Sequence, residues 1–79
     1  MSSTLQELNA RRLLCPMPVI RVQEAMKTLQ PNDQLKIICT DPGVKFDIPA
    51  WCKVHGHKVL NIKEENHEII IVIEKGSLT

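Results

Sequence analysis

The sequence predicts an α/β fold: a two-layer sandwich in which two helices cover one face of a four-stranded mixed sheet. Three observations support this prediction. Residues from 19 onward follow a helical repeat, short apolar runs alternate with turn residues, and the unbroken apolar run 69–73 is the strongest strand signal. The resulting order is β-α-β-α-β-β. Two helical crossovers and a final hairpin place both helices on one face and leave the other face uncovered.

The first two predicted elements are an edge strand and a regular helix. Residues 4–9 carry large apolar side chains only at Leu5 and Leu8, which indicates a short strand at the edge of the sheet. Residues 19–29 place their apolar side chains on one helical face. These are Val19, Val22, Met26 and Leu29. The segment Pro-Asn-Asp at 31–33 ends the helix.

A strand and a second helix are predicted next. Residues 34–40 alternate, so that Leu35, Ile37 and Cys39 are expected to face the core. After the break at 41–43, a second helix is expected to start with Asp47 as its N-cap and to stop at Gly56.

The chain is predicted to finish with a hairpin. Val59, Leu60 and Ile62 mark the third strand, and residues 65–67 form the turn into a fourth strand at 68–75. The run 69–73 is apolar on both sides of the strand. Part of it is therefore expected to face the uncovered side of the sheet.

Length and composition indicate one small globular domain over residues 1–79. Hydrophobic residues make up 43% of the chain and aromatic residues only 3%, so aliphatic side chains must form the core. The formal charge of +1 gives no general attraction to nucleic acid, and no direct nucleic-acid partner is expected. With neither a signal peptide nor a membrane-length apolar segment, a cytoplasmic protein is expected.

The three cysteines, at positions 15, 39 and 52, cannot all pair within one chain. Their spacing matches neither a redox C-x-x-C motif nor a zinc ligand pair, so free thiols in a reducing compartment are predicted. No metal is predicted, because the histidines also lack a partner at ligand spacing and are expected to be solvated. They are His55, His57 and His67. Trp51 is expected to pack in the core, and Cys52 lies on a helix face that the pattern does not define.

The segment Cys15-Pro16-Met17-Pro18 places a thiol where the first helix begins. A helix start has N–H groups without intrahelical partners and the positive end of the peptide dipoles, so it favours a thiolate. Pro16 as the first helical residue and Pro18 in the same turn lack only N–H groups that would have no partner there. Cys15 is then expected as the N-cap, with the Met17 N–H as the main donor left for its sulfur.

The helix dipole alone is too weak to ionise the thiol fully. A helix terminus contributes only about 0.3–1 kcal/mol to a surface anion, which is less than one pKa unit. Arg11, Arg12 and Arg21 lie close in sequence, could add positive charge, and are candidate contacts for an acidic partner. A solvated charged surface is the commoner explanation for such residues. The alternative for Cys15 is a buried small hydrophobic residue, but burial would not need two flanking prolines.

Three segments together carry a family resemblance: residues 8–19 around the Cys-Pro-Met-Pro motif, Thr-Asp-Pro at 40–42 and Asp-Ile-Pro-Ala-Trp-Cys at 47–52. They resemble the TusA (SirA-like) family of sulfur carriers, and the resemblance covers nearly the whole chain. It implies the sandwich predicted above and a persulfide carried on Cys15, with no other cofactor. Two departures stand out, because the family commonly has Asp where this chain has Asn9 and Gly where it has Arg12. A glycine there would serve a backbone angle that arginine tolerates poorly.

The resemblance also implies partners and a type of chemistry. Sulfur would arrive from a cysteine desulfurase or a rhodanese-like donor and leave to a sulfur-relay acceptor. The chain would then be a carrier with sulfurtransferase-type chemistry, without turnover of its own. The family suggests tRNA thiolation, sulfur oxidation or molybdenum-cofactor assembly downstream. Two other hypotheses are a thiol redox or regulatory protein and, less favoured, a small nucleic-acid-binding module.

Overall fold

The computed structural model describes residues 5–14 and 16–76, and its elements follow the predicted order. They are β1 (Leu5–Ala10), α1 (Met17–Met26), β2 (Gln34–Cys39), α2 (Val44–His55), β3 (Lys58–Glu65) and β4 (Glu68–Glu74). The strands form one sheet in the order β1-β2-β4-β3, in which β1 runs parallel to β2, and β4 is antiparallel to both its neighbours. The predicted mixed sheet and β-α-β-α-β-β order are confirmed. Thr4, the predicted start of β1, and Cys15 lie outside the described residues.

The core between sheet and helices is aliphatic, as the composition predicted. Leu35, Ile37 and Cys39 of β2 face this core, as predicted. They lie opposite three buried residues of the neighbouring strand β4, namely Ile73, Ile71 and Ile69. The main buried contributions from the helices and β4 are Val22 and Met26 of α1, Val44, Ile48 and Cys52 of α2, and Ile69, Ile71 and Ile73 of β4. Among the described residues, no polar or charged side chain is buried. Apolar packing therefore holds the two layers together.

The uncovered face of the sheet has a small apolar centre and charged surroundings. Ile38 of β2 pairs with Ile70 of β4, and Val72 follows on the same side of β4. Three ion pairs lie around this centre: Glu7–Lys36, Arg11–Glu68 and Lys63–Glu65. The prediction that part of the run 69–73 faces the uncovered side is confirmed.

The start of α1 differs from the prediction by one residue. Pro16 is the N-cap, with φ −96° and ψ 11°, and Pro18 is the second helical residue. The Met17 N–H donates to the Leu14 carbonyl oxygen at 2.9 Å, so the prediction that it remains available to the thiol was wrong. The reason is local: neither proline has an N–H, and Met17 provides the donor that closes the tight turn before the helix.

The end of α1 also comes earlier than predicted. The helix stops at Met26, and the next residues continue with short i→i+3 bonds, including Leu29 N–H to the Met26 carbonyl oxygen at 3.2 Å. Leu29 is still buried, so the apolar repeat was read correctly although the helix is shorter.

The second helix begins three residues before the predicted N-cap, Asp47, which instead lies in the first turn. The Gly43 N–H donates to Asp41 Oδ1 at 3.0 Å, and this turn leads directly into Val44. Pro49 lies inside the helix and brings no N–H of its own to it. The predicted end is confirmed, because Gly56 has φ 77° and the His57 N–H bonds to the Cys52 carbonyl oxygen at 2.8 Å.

The hairpin between β3 and β4 turns at Asn66 and His67, whose φ values of 52° and 64° are those of a two-residue turn with both residues left-handed. Glu65, which was predicted in the turn, pairs with Glu68 as the last residue of β3. No helix in the described part of the chain is long and apolar enough to span a membrane.

Candidate functional site

The loop that leads from β1 to the motif is fastened at successive backbone positions. The Arg11 N–H donates to Asn9 Oδ1 at 3.1 Å, and the Arg12 N–H donates to Thr40 Oγ1 at 2.9 Å. The Leu13 N–H reaches the carbonyl oxygen of Ala10 at 3.4 Å. The loop is therefore tied to the carboxyl ends of both parallel strands, which limits where the following residues can lie.

Arg12 has φ 66°, a left-handed conformation that glycine adopts more readily than any residue with a Cβ. Position 12 of this chain therefore has the kind of backbone angle that a glycine was expected to serve. The other departure is milder, because the amide oxygen of Asn9 accepts the Arg11 N–H as a carboxylate oxygen would.

The residues on either side of the motif thiol lie at the surface. Leu14 is 73% exposed, Met17 is 39% exposed and Pro16 is exposed. Pro18 is buried and anchors the first turn of α1 in the core. Cys15 itself lies outside the described residues, so its ionisation stays a prediction. The first turn of α1 contains no acidic residue that would compete for the helix terminus.

The three arginines near the motif have different surroundings. Arg11 forms an ion pair with Glu68 at 2.5 Å, which raises the pKa of Arg11 and lowers that of Glu68, mainly through this hydrogen bond. Arg12 and Arg21 are exposed, on the loop and on α1 respectively. Arg11 is therefore committed to fixing the loop on β4, and Arg12 and Arg21 are the better candidates for contact with a partner.

The other two cysteines are buried and poorly suited to thiol chemistry. Cys39 is fully buried on β2 and Cys52 is 1% exposed on α2. Burial raises the pKa of each thiol to about 11, and the charge of Asp41 adds to the effect at Cys39. The prediction that Cys39 faces the core is confirmed. The sequence pattern did not define the side of α2 on which Cys52 lies, and the structure places it on the side that faces the core.

A groove of about 230 Å³ lies at the far end of α1 from the motif, between Met26, Trp51 and Lys75. Trp51 stacks on His55 and on His57, with centroid distances of 4.6 and 5.0 Å. The two imidazole centroids are 6.5 Å apart, so the three rings form one aromatic cluster. Sequence reasoning missed this cluster, although Trp51 does pack against the core as predicted.

The bonds of the two histidines explain the cluster without a ligand. His57 Nδ1 accepts the Gly76 N–H at 3.0 Å, so the neutral ring carries its proton on Nε2 and has no lone pair free for a metal. His55 Nδ1 lies 3.0 Å from the Trp51 carbonyl oxygen. At this end Lys75 Nζ donates to the Met26 and Leu29 carbonyl oxygens after α1, and the last turn of α2 contains Lys53. Among residues 5–14 and 16–76, no three potential metal ligands come together.

Comparison with known proteins gives a consistent relationship. The profile of the family described as Sulfurtransferase TusA matches residues 6–75. Sulfur carrier protein TusA of Allochromatium vinosum is 34% identical over 71 residues, which are 90% of this chain and 93% of that protein. TusA of Pseudomonas paraeruginosa is 37% identical over 68 residues, 86% of each chain. Two longer relatives, from Aquifex aeolicus and Bacillus subtilis, match at 37% and 36% identity, and this chain spans 36% and 37% of their lengths.

The fold has a counterpart among solved structures. A SirA-like protein from Desulfitobacterium hafniense superposes with a TM-score of 0.78 over 90% of this chain and 97% of that one. Its sequence identity of 18% makes this a likeness of fold alone. The profile match along residues 6–75 and the relatives matched over most of their own length establish that the chain belongs to the TusA family.

Proposed function

We propose that this protein is a sulfur carrier that holds one sulfur atom as a persulfide on Cys15. The observation that carries the proposal is the position of the motif in a TusA-family chain. Cys15 stands between Leu14, which is 73% exposed, and Pro16, the N-cap of α1, at the end of a loop that is tied to two strands. A thiol at a helix start and among exposed neighbours has the two properties that sulfur exchange requires, access and a bias toward the thiolate.

Loading follows the chemistry of thiol–disulfide exchange. The Cys15 thiolate attacks the outer sulfur of a donor persulfide, forms the new sulfur–sulfur bond and displaces the donor thiolate. No net oxidation or reduction occurs, and the proton of the outer sulfur stays on that atom. Delivery is the same exchange in the other direction, with an acceptor thiolate attacking the outer sulfur and Cys15 leaving as thiolate. Stabilisation of that thiolate therefore assists delivery.

The two buried cysteines favour carriage over redox cycling. A dithiol redox protein needs a second accessible thiol. Cys39 and Cys52 are both buried, and their pKa values of about 11 keep both thiols protonated. A persulfide on Cys15 would then wait for the thiol of another protein instead of being resolved within the chain. The donor is a cysteine desulfurase or a rhodanese-like protein, and the acceptor is another sulfur-relay protein, serving tRNA thiolation, sulfur oxidation or molybdenum-cofactor assembly.

Mass spectrometry of the intact protein after incubation with glutathione persulfide tests the proposal. We expect an adduct of one sulfur atom that maps to Cys15, is released by dithiothreitol and is lost in Cys15→Ser. The paired variant Cys39→Ala/Cys52→Ala is the control and is expected to load like the unmodified protein. A glutathione mixed disulfide on Cys15 as the stable product would instead support the thiol redox alternative.

A further inference from the structure

Four large apolar side chains are exposed near the motif, and we name them the outer apolar patch: Leu14, Met17, Ile20 and Phe46. Their exposed fractions are 73%, 39%, 41% and 76%. Phe46 is the most exposed of the four, although the chain has one phenylalanine and one tryptophan in total. An aromatic side chain left this open in an aromatic-poor chain is a candidate contact for another protein.

The topology brings the patch together at one end of the molecule. β1 and β2 are adjacent and parallel, so their carboxyl ends meet at the same edge of the sheet. The loop with Leu14 and the start of α1 follow β1, and the start of α2 follows β2. The first turns of both helices, which contain Met17 and Phe46, therefore lie at the same end as the motif.

Helical periodicity places Ile20 and Phe46 on the outer side of the helical layer. In α1 the buried residues Pro18 and Val22 flank Ile20 at two positions on each side, which turns Ile20 away from the core. In α2, Phe46 has the same relation to the buried residues Val44 and Ile48. Packing within the chain thus gives no reason for either side chain to be large and apolar.

The occupant of this patch follows from the chemistry of the motif, and this step rests on the proposed function. Exchange of a sulfur atom needs the partner's sulfur in contact with that of Cys15, so the partner must also cover the neighbours Leu14 and Met17. Arg12 and Arg21 are exposed beside the patch and carry positive charge. The complementary surface is therefore apolar at its centre with carboxylates at its edge.

We propose that the outer apolar patch is the docking surface for the protein that exchanges sulfur with Cys15, with Phe46 inserted into an apolar pocket of that partner. Phe46 contributes to complex formation and takes no part in sulfur exchange itself. Its substitution must slow transfer from a protein donor and leave transfer from a small persulfide unchanged.

The experiment compares loading of Cys15 from three sources: a purified cysteine desulfurase with L-cysteine, a rhodanese-like protein charged with thiosulfate, and glutathione persulfide. Phe46→Ser is expected to lower the initial loading rate from the effective protein donor by about tenfold or more, and Phe46→Leu by much less. Both variants are expected to load from glutathione persulfide at the unmodified rate. Far-UV circular dichroism checks that each variant is folded.

Val54→Ser is the matched control. Val54 is 80% exposed on the same helix but lies at its opposite end, so this variant should load normally from every source. The proposal is overturned if Phe46→Ser loads normally from the protein donors, if it is equally slow with glutathione persulfide, or if Val54→Ser shows the same loss. It is also overturned if neither protein donor loads the unmodified chain faster than glutathione persulfide does. Failure of the unmodified protein to load from glutathione persulfide would instead contradict the proposed function.

Discussion

Arg12 adopts a backbone conformation that glycine would adopt without a steric cost. Its φ of 66° brings the Cβ close to the following carbonyl group, and the bond from its N–H to Thr40 Oγ1 holds it there. Such strain at a functional loop persists when the surroundings fix the backbone more strongly than the residue resists. At this position the chain combines local strain with a positive charge close to the motif.

Arg12→Gly is expected to raise the free energy of unfolding by about 0.5–1 kcal/mol. The substitution removes a left-handed strain of about 1–2 kcal/mol from the folded state. Glycine also increases the conformational entropy of the unfolded chain, and this offsets part of the gain in stability. Urea unfolding measures the change. Arg12→Ala is the control, because it removes the same charge but keeps the Cβ. Equal stabilities of the glycine and alanine variants would contradict the strain assignment.

His57 links the stability of the protein to pH. Desolvation, followed by the charges of His55 and Lys75, lowers the pKa of His57 below its usual 6.5. Its Nδ1 also accepts the Gly76 N–H, and protonation would remove that acceptor. Below about pH 6.5 the unfolded chain binds the proton more readily than the folded chain, so stability is complete above this pH and falls as the pH decreases.

His57→Asn is expected to reduce this loss of stability in acid. The asparagine amide oxygen provides an acceptor near the position of Nδ1 and does not titrate. Urea midpoints at about pH 7.5 and about pH 5 measure the difference. His67→Asn, at an exposed turn position with φ 64°, serves as the control and should keep the unmodified dependence. If both variants lose stability in acid as the unmodified protein does, His57 is not the responsible group.

At the scale of the elements, the end of α1 depends on a side chain from the other end of the chain. Lys75 Nζ donates to the carbonyl oxygens of Met26 and Leu29 at 2.7 and 2.6 Å. Backbone bonds between Lys75 and the turn after α1 hold the segment in place, at 2.9 Å to both Asn32 and Asp33. A Cβ at Gly76 would overlap the carbonyl oxygen of Gly56, so glycine is needed for this close approach.

Lys75→Met is expected to lower the free energy of unfolding by about 1–2 kcal/mol. The variant keeps the apolar stem but removes two charge-assisted bonds to carbonyl groups at a helix end. The urea midpoint should fall while the slope of the transition stays constant. Lys27→Met removes an exposed charge at the same end of α1 and should change stability by less than about 0.5 kcal/mol. If Lys27→Met lost as much stability as Lys75→Met, the loss would come from the positive charge alone, and the role of the two Lys75 hydrogen bonds would be contradicted.

The sequence was sufficient to predict the elements but not all their boundaries. Apolar spacing identified both helices and the strands, because the buried face of each element determines that spacing. The ends of α1 and the start of α2 were wrong, since they depend on the tight turn closed by Met17, on Lys75 from a distant segment and on the Asp41 turn. For α2, the four-residue spacing of Val44, Ile48 and Cys52 was the available signal.

At the scale of the whole molecule, the two ends of the sandwich differ in character. At the motif end, a loop tied to β1 and β2 leads into a helix start with exposed apolar neighbours. At the opposite end, Lys75 and the Trp51 cluster close the ends of both helices with internal bonds. The exposed apolar side chains around the motif therefore lie at one end, and the bonds that close the helix ends lie at the other.

The candidate site was predictable only where its residues are close together in the sequence. The Cys-Pro-Met-Pro motif indicates Cys15, which stays a prediction, and the family pattern indicated a special backbone angle at Arg12, where φ is 66°. The Arg11–Glu68 ion pair and the outer apolar patch were not predictable, because both arise from residues that are distant in sequence and adjacent only in the folded chain.

A single-turnover relay measurement tests the central claim most directly. The protein is loaded with sulfur, freed of donor and mixed with a protein thiol acceptor, and the mass of each chain is followed with time. The account predicts that one sulfur atom leaves each loaded chain, appears on the acceptor and returns Cys15 to the free thiol, with no disulfide between the two proteins. Sulfur that stays on the chain, or an accumulating mixed disulfide, would contradict the account.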